Sequence, residues 1–269
     1  MLAPKIVLKD GTMGIIFPDM HTPRHHKPSV NACLNYLKAL RKINKPDFFI
    51  QLGDLCDFDS LSRFQVMDSK DMISLVDEIK SANDMLDTID SILPTKCVKV
   101  MTMGNHDKRP EIYRLNSWDQ KDQKLFGSQF GCERIPNAEV LYGLVKRGWS
   151  WVDYGDVVRV GKALFTHGWY TSKWHTDKTL LKWFQTIIYG HVHNWQVCNR
   201  NGMDGHPVAA MCIGTLSEFN LSYLKGVPPD WVHLFMQVDY FKDGTFTPHM
   251  IPIIKGRFII NGNIYDGNK

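Results

Sequence analysis

Residues 98–108 read VKVMTMGNHDK, an apolar run that breaks abruptly into small and polar residues. Val98 to Thr102 is typical of a buried strand, and Gly104 to Asp107 spells Gly-Asn-His-Asp. Open α/β sheets keep their sites at the carboxyl ends of strands, so this break indicates a site. The tetrapeptide alone is weak evidence, because Asn, His and Asp are also ordinary turn residues. The interpretation depends on whether other strands end in the same way.

Other strand-like runs do end in comparable polar residues. They are Met13 to Phe17 before Asp19 and His21, Asp47 to Leu52 before Gly53 to Asp57, Ala163 to Thr166 before His167, and Thr186 to Tyr189 before Gly190 to His193. Segments with the apolar spacing of helices lie between the first three strands. This spacing predicts one helix from Val30 to about Ile43, capped by Ser29, and a long helical stretch from Ser60 to Leu93 that Pro94 ends.

The second half of the chain changes character. Glu111 to Phe126 is predicted to be helical, and residues 127–148 have no clear period, which suggests a loop or a small insertion. From Trp149 onward short alternating strands dominate, with a short helix around Lys178 to Phe184. No linker or internal repeat is present, so we predict one α/β domain over residues 1–269, with two packed mixed sheets flanked by helices.

Composition narrows the function classes. The chain has 269 residues, 43% hydrophobic and 22% charged, with a net charge of +4, which permits an anionic substrate but does not indicate a nucleic-acid-coating protein. The six cysteines form no CxxC pair, so a thiolate zinc site is not indicated. No signal peptide and no apolar run of ~20 residues is present, and we therefore expect a cytoplasmic protein without a membrane segment.

The polar residues at the strand ends have the chemistry of a metal site. Carboxylate, imidazole and amide oxygen without sulfur suit Mn²⁺, Fe, Zn²⁺ or Ni²⁺ better than Ca²⁺. Two metals about 3.5–4 Å apart are the usual device for phosphoester hydrolysis, and a single carboxylate is then expected to bridge them. The potential ligands are too many for one catalytic metal and about right for two: Asp19, His21, Asp54, Asn105, His167, His191 and His193.

These motifs together resemble a calcineurin-like metallophosphoesterase. The family pattern is D-x-H, G-D-x-x-D, G-N-H-D or G-N-H-E, a single H, and G-H-x-H. Each element is common alone, whereas all five in this order are highly specific. In this chain they stand at Asp19-Met20-His21, Gly53-Asp54-Leu55-Cys56-Asp57, Gly104-Asn105-His106-Asp107, His167 and Gly190-His191-Val192-His193.

The resemblance implies a role for each position and a four-layer α-β-β-α fold. One ion would be held by Asp19, His21 and His193, and the other by Asn105, His167 and His191, with Asp54 bridging. His106 would be the acid that protonates the leaving oxygen, and Asp57 would orient its ring. A hydroxide shared by the two ions, with manganese the favoured metal, would attack phosphorus in line.

Simpler interpretations stay open for four of these positions. His167 alone is more often a turn or surface histidine, and Asp57 could simply cap the next helix. His191 and His193 point to opposite sides if the strand continues through them, so both can bind only if the chain turns after Gly190.

Substrate class is less well indicated. Arg24, Lys108 and Arg109 follow the first and third motifs, where cations would hold phosphate oxygens, although each could be a solvated side chain. Aromatic residues near the last two motifs could stack on nucleobases or could simply pack: Trp169, Tyr170, Trp174, His175 and Trp195.

Two departures from the family's protein-phosphatase branch bear on substrate class. That branch usually has Arg directly after the second Asp of G-D-x-x-D, where this chain has Phe58, and Asp107 stands here instead of Glu. Both favour nucleotide or nucleic-acid phosphodiesters over phosphomonoesters.

A non-catalytic metal-binding scaffold is the alternative of another class. The chain ends soon after the sheets, which leaves little room for a DNA-capping domain unless it forms a homodimer.

Overall fold

The computed structural model describes residues 6–62, 73–116, 135–202, 205–220 and 229–269. The helices in these ranges are α1 (Lys27–Arg41), α2 (Leu75–Ile92), α3 (Arg109–Asn116), α4 (Ala138–Leu141) and α5 (His175–Trp183), with a 3₁₀ turn at Asp59–Leu61. The strands are β1 (Thr12–Phe17), β2 (Phe48–Gln51), β3 (Val98–Thr102), β4 (Trp149–Val152), β5 (Val158–Val160), β6 (Ala163–Thr166), β7 (Thr186–Tyr189), β8 (Trp195–Asn201), β9 (Pro207–Ile213), β10 (Leu234–Tyr240), β11 (Phe246–Pro252), β12 (Arg257–Ile260) and β13 (Asn263–Asp266).

Most of the strands form two mixed sheets. The first has the order β11-β10-β1-β2-β3-β4, in which β1 to β4 run parallel. The second has the order β5-β6-β7-β9-β8, in which β6, β7 and β9 run parallel. β12 and β13 form a separate hairpin that packs on α1.

The central strands are buried on both faces, which explains their nearly continuous apolar sequences. Ile16 and Ile50 of the first sheet share a core with Phe165 and Ile188 of the second. Their strand neighbours point the other way because side chains alternate along a strand, so Ile15 packs with α1 and α2. Leu164 and Ile187 pack with Leu180 of α5. The layers are therefore helix, sheet, sheet and helix, and the predicted α/β fold is confirmed.

Several predicted boundaries differ from the structure. α1 begins before Ser29, because His26 is the N-cap and its ring nitrogen accepts from the backbone N–H of Ser29 at 3.3 Å. α2 begins at Leu75 after the cap Ser74, whereas the helical stretch was predicted from Ser60, and residues 63–72 of that prediction lie outside the described ranges. α5 begins at His175 rather than Lys178.

Two strands were not predicted, and two predictions fall partly outside the described residues. β8 is a polar, largely exposed edge strand without the alternation that marks a half-buried one, and β13 is similarly exposed. The predicted helix over 111–126 includes residues 117–126, and the predicted insertion over 127–148 includes residues 127–134, and both of these stretches lie outside the described ranges. No helix within the described ranges is long and apolar enough to cross a membrane.

Candidate metal centre

Five strand ends meet in one crevice between the two sheets. β1, β2 and β3 run parallel in the first sheet, and β6 and β7 run parallel in the second. Each of these strands is followed by at least one of the predicted ligands. The carboxyl ends of parallel strands share one edge of a sheet, so the motifs are brought together although they span residues 19–193.

The first group of ligand atoms comes from the ends of β1 and β7. His193 Nε2 lies 2.9 Å from Asp19 Oδ2 and 3.1 Å from His21 Nε2. All three residues are buried, and their ligand atoms lie within 4.8 Å of one another. These are the three residues that the family resemblance assigns to one ion.

The second group surrounds His167. Its Nε2 atom lies 2.9 Å from Asn105 Oδ1, 3.1 Å from His191 Nδ1 and 3.3 Å from Asp54 Oδ2. The ring is oriented by its other nitrogen, because Nδ1–H donates to the carbonyl oxygen of Leu52 at 2.9 Å. Asp54 Oδ2 also lies 3.8 Å from His21 Nε2. Asp54 therefore lies between the two groups, where a bridging carboxylate is expected.

The backbone is unusual at four of these residues. Residues other than glycine rarely adopt a positive φ, and such positions cluster at functional sites. After Tyr189 the chain turns, as required for both histidines of the last motif to reach the crevice, and the N–H of Val192 bonds the carbonyl oxygen of Gly190 at 2.8 Å. The left-handed residues and their φ values are His21 at 53°, Asp54 at 48°, His191 at 67° and His193 at 66°.

Two glycines of the motifs are required by close packing against the carboxylates. A Cβ atom at Gly190 would lie 2.1 Å from Asp19 Oδ1, and one at Gly104 would lie 2.0 Å from Asp54 Oδ1. Either side chain would displace a ligand. The glycines that precede the motif residues therefore provide space for the carboxylates.

The electrostatics of the crevice favour positive charge. Burial lowers the pKa of His167, but Asp54 and Asp19 outweigh it and raise that pKa to about 10. Burial also lowers the pKa of His21, but the charge of Asp57 outweighs it and raises that pKa to about 9. Burial raises the pKa of Asp54, yet the neighbouring His167 and His106 hold that pKa well below its usual range. The carboxylates are thus ionised and attract cations.

The donor set also fits divalent metal ions. Asp19 Oδ1 is buried and accepts no hydrogen bond from any described residue. Pairs of imidazole nitrogens face each other at 3.1 Å in both groups, and in such a pair at most one nitrogen can donate to the other. Cations that accept these lone pairs would satisfy all of these atoms. The buried His and Asp groups are consistent with a dinuclear metal site.

His106 and Asp57 lie beside this centre. His106 Nδ1 lies 2.9 Å from the backbone carbonyl oxygen of Asp57, so this nitrogen carries a proton. The Asp57 carboxylate is closer to His21, at 2.7 Å from Nδ1, than to His106, at 3.4 Å. Asp57 therefore contacts both rings, and it orients a predicted ligand as well as the predicted acid.

The three predicted substrate residues are placed differently. Arg109 Nη1 donates to the carbonyl oxygen of Asp57 at 2.7 Å, and Arg24 Nε lies 3.2 Å from Asp59 Oδ2. Both guanidinium groups thus lie next to the acid side of the centre. Lys108 Nζ, from the residue just before α3, instead pairs with Glu111 of that helix at 2.5 Å.

Sequence reasoning left open the role of Asp107 and missed its partner Tyr142. Asp107 Oδ2 accepts from the backbone N–H groups of Asp54 at 2.7 Å and Gly104 at 3.0 Å. Tyr142 Oη donates to Asp107 Oδ1 at 2.6 Å. Burial, followed by the charge of Asp54, raises the pKa of Asp107 to about 6. Asp107 thus ties together the loops that follow β2 and β3.

The aromatic residues near the last two motifs include both packed and exposed side chains. Trp169 stacks on Trp183 with ring centroids 4.9 Å apart, and Lys178 lies over the ring of Tyr170. His175 is buried and bonds Tyr189 Oη at 2.7 Å. Trp174 and Trp195 are exposed. The alternative that these aromatic side chains simply pack within the protein therefore holds for His175 and Trp169. Trp231, which sequence reasoning did not single out, lies edge-on to His193 at 4.4 Å.

Comparison with known proteins identifies a family. A model of the family described as calcineurin-like phosphoesterase matches residues 15–207. The Gene 54 proteins of Mycobacterium phages D29 and L5 are 23% and 22% identical to this chain, over 94% of its length and 98% of theirs.

Solved structures with similar folds share 12% identity with this chain. The hypothetical protein PH1004 from Pyrococcus horikoshii OT3 has a TM-score of 0.49, and the match covers 89% of this chain and 87% of that one. For Chaetomium thermophilum Vps29 the TM-score is 0.43, with 94% and 95% covered. For the Pseudomonas putida nuclease MPE it is 0.32, with 88% and 86% covered.

Proposed function

The chain belongs to the calcineurin-like phosphoesterase family, and we propose that it is a two-metal hydrolase of phosphodiesters in nucleotides or nucleic acids. One observation carries this proposal. Two groups of ligand atoms lie on either side of Asp54, and His106, whose Nδ1–H is held by the carbonyl oxygen of Asp57, stands beside them. This arrangement is suited to holding a phosphoryl group next to an acid.

We assign Asp19, His21 and His193 to one ion and Asn105, His167 and His191 to the other, with Asp54 as the bridge. When bound, the two ions polarise the phosphoryl oxygens and make water a nucleophile near neutral pH. Manganese is the favoured metal, since an oxygen and imidazole set without sulfur suits it.

His106 acts as the general acid. Its Nδ1–H stays on the carbonyl oxygen of Asp57, so the proton that it transfers is the one on Nε2. The Asp57 carboxylate lies 3.4 Å from Nδ1 and stabilises the cationic ring that precedes the transfer. The same carboxylate at 2.7 Å from His21 couples the acid to the first metal group.

The preference for phosphodiesters over phosphomonoesters rests on two positions. Phe58 follows Asp57, where a phosphate-binding arginine stands in the protein-phosphatase branch. It is fully buried and packs against Tyr142, with centroids 5.9 Å apart, so it is not available to substrate. Asp107 replaces Glu in the third motif and is occupied by backbone N–H groups. Phosphomonoester hydrolysis is the second candidate, because the metal centre is compatible with it.

The test compares bis-p-nitrophenyl phosphate with p-nitrophenyl phosphate in the presence of Mn²⁺. We expect the diester to be hydrolysed with the higher kcat/KM, and the opposite order would favour the phosphomonoesterase. His106→Ala should lower turnover by at least about 100-fold while the metal content stays at the wild-type level. His249→Ala is the matched control, because His249 is exposed on the edge strand β11 and pairs with Asp239 of β10.

Metal content separates the hydrolase from a non-catalytic scaffold. A protein that binds two equivalents of Mn²⁺ and hydrolyses neither ester would be a scaffold. Full activity of His106→Ala would show that another group donates the proton.

A further inference from the structure

The fourth parallel strand of the first sheet also ends at the crevice. β4 runs parallel to β3, with Thr102 opposite Val152, and the N–H of Met103 donates to the carbonyl oxygen of Val152 at 2.8 Å. The residues that follow β4 therefore lie beside the loop that carries Asn105. These residues are 153–156, and none of the five motifs includes them.

Residues 153–156 form a tight turn, and Tyr154 is the second residue of that turn. The N–H of Asp156 donates to the carbonyl oxygen of Asp153 at 3.0 Å, and Gly155 has a φ of 94°, which is the pattern of a type II turn. Thr166 Oγ1 donates to the carbonyl oxygen of Asp156 at 2.9 Å. The turn is thus tied to the end of β6, directly before one of the predicted ligands.

Tyr154 lies against the second group of ligand atoms. The centroid of its ring is 6.2 Å from that of His167. Burial, followed by the charge of Asp54, raises the pKa of Tyr154, so the phenol lies within electrostatic reach of that carboxylate. A tyrosine hydroxyl carries its proton at neutral pH and can donate it to a hydrogen bond.

The hydroxyl group of Tyr154 is open to a ligand. Tyr154 is 37% exposed, and among the described residues its Oη atom has no hydrogen-bond partner. Two buried tyrosines differ in this respect, because Tyr142 Oη donates to Asp107 and Tyr189 Oη bonds His175. An anchored turn therefore presents an unused donor at the metal centre, which is the preorganisation that a substrate contact requires.

Tyr154 and His106 contact different ligand groups. The His106 ring lies edge-on to His21 of the first group, with centroids 4.7 Å apart, whereas Tyr154 lies against His167 of the second. Asp54 lies between the two groups. A phosphoryl group held over both groups would have the acid on one side and the phenol on the other. Since the leaving oxygen takes its proton from His106, the phenol faces an oxygen that stays on phosphorus.

We propose that Tyr154 is a further catalytic residue, whose hydroxyl donates a hydrogen bond to a phosphoryl oxygen that stays on phosphorus. The inference rests on the proposed function. In the reaction the P–O bond to the leaving group breaks, water supplies the new oxygen on phosphorus, and His106 gives its proton to the leaving oxygen. Tyr154 keeps its own proton throughout. The equatorial oxygens of the transferring group carry the charge in the transition state, and a donor fixed beforehand stabilises it.

Tyr154→Phe is the main test, because it removes the hydroxyl and keeps the ring. With the Mn²⁺-loaded full chain, we expect kcat/KM for bis-p-nitrophenyl phosphate to fall by about tenfold or more, the factor of one hydrogen bond to a charged oxygen. Metal content should stay at the wild-type level. A wild-type kcat/KM in this variant would overturn the inference.

A second variant separates the hydroxyl from the ring. We expect Tyr154→Leu to lose about as much kcat/KM as Tyr154→Phe and to keep its Mn²⁺. If Tyr154→Phe behaves as wild type and only Tyr154→Leu loses activity or metal, the ring merely packs against His167 or against the substrate, and the inference is wrong. Tyr265→Phe is the matched control, because Tyr265 is also partly buried and stacks on Phe258 within the β12–β13 hairpin.

Phosphate binding tests the contact without turnover. By calorimetry, we expect inorganic phosphate to bind the Mn²⁺-loaded Tyr154→Phe chain about tenfold more weakly than the wild type. A chain that shows this difference but hydrolyses no phosphoester would refute the proposed function and support the contact. Equal dissociation constants for phosphate would refute the contact even in an active enzyme.

Discussion

Asp107→Ala should be among the most damaging single changes outside the metal ligands. Asp107 is 1% exposed and accepts three hydrogen bonds, from the backbone N–H groups of Asp54 and Gly104 and from Tyr142 Oη. Alanine removes every one of these acceptors. A buried donor left without an acceptor costs about 1–3 kcal/mol. The tyrosine hydroxyl can turn toward another acceptor, so the expected loss of stability comes from the two backbone N–H groups. We expect a loss of about 2–6 kcal/mol in the free energy of unfolding.

Asp107→Asn is the matched comparison. Its amide oxygen can still accept from both backbone N–H groups, and its NH₂ group can donate to a rotated Tyr142 hydroxyl. We therefore expect a loss of less than about 1 kcal/mol. The free energies come from urea unfolding of the metal-free chains, monitored by tryptophan fluorescence and circular dichroism.

The same pair of variants tests the link to the metal centre. Asp107 holds the backbone at Asp54, and losing such an outer partner typically lowers metal affinity by about 10–100-fold. Calorimetric Mn²⁺ titration should therefore show weaker binding for Asp107→Ala than for Asp107→Asn. If the two variants unfold at the same urea concentration and bind Mn²⁺ equally well, the carboxylate does not hold these loops and the reasoning is wrong.

Three further predictions follow from the same contacts. Burial raises the pKa of Glu78 from 4.5 to about 7, so the folded state binds the extra proton and stability falls as pH rises from about 4.5 to 7. Glu78→Gln should flatten that dependence by on the order of 3 kcal/mol, with the half-buried Glu139→Gln of α4 as control. Removing metal with EDTA should lower Tm. Adding Mn²⁺ back at 100 times its Kd should raise the free energy of unfolding by about 2.7 kcal/mol. An unchanged Tm would contradict a metal site. Mass-spectrometric metal counts should fall by about one equivalent in His191→Ala and by more in Asp54→Ala, and equal counts would contradict a bridging Asp54.

The core strands of the fold could be predicted because their signals are local. The strand from Val98 to Thr102 is buried over its last three residues and ends where the sequence breaks, as predicted. Edge elements carry weaker signals. β8 pairs only with β9 and faces solvent along most of its length, so its sequence needs no apolar alternation and the strand was missed.

The candidate site was predictable for a related reason. Each predicted ligand follows directly after a strand, and the carboxyl ends of parallel strands meet wherever the sheets form. The turn after Gly190 could be stated as a condition from the sequence, and the chain does turn there. The sequence did not show which partner each of these side chains contacts. Asp57 was expected to act on His106, yet its carboxylate lies closer to His21.

Local sequence signals specify which residues reach the crevice, because strand period, glycine turns and motif order act over a few residues. What those residues contact depends on the three-dimensional packing. Tyr142 finds Asp107 across 35 positions, and Asp59 collects Arg24 and Arg109 from 35 and 50 positions away. Such contacts depend on how separate loops cross in space, and hydrogen bonds of about 3 Å discriminate between alternatives that have the same local sequence pattern.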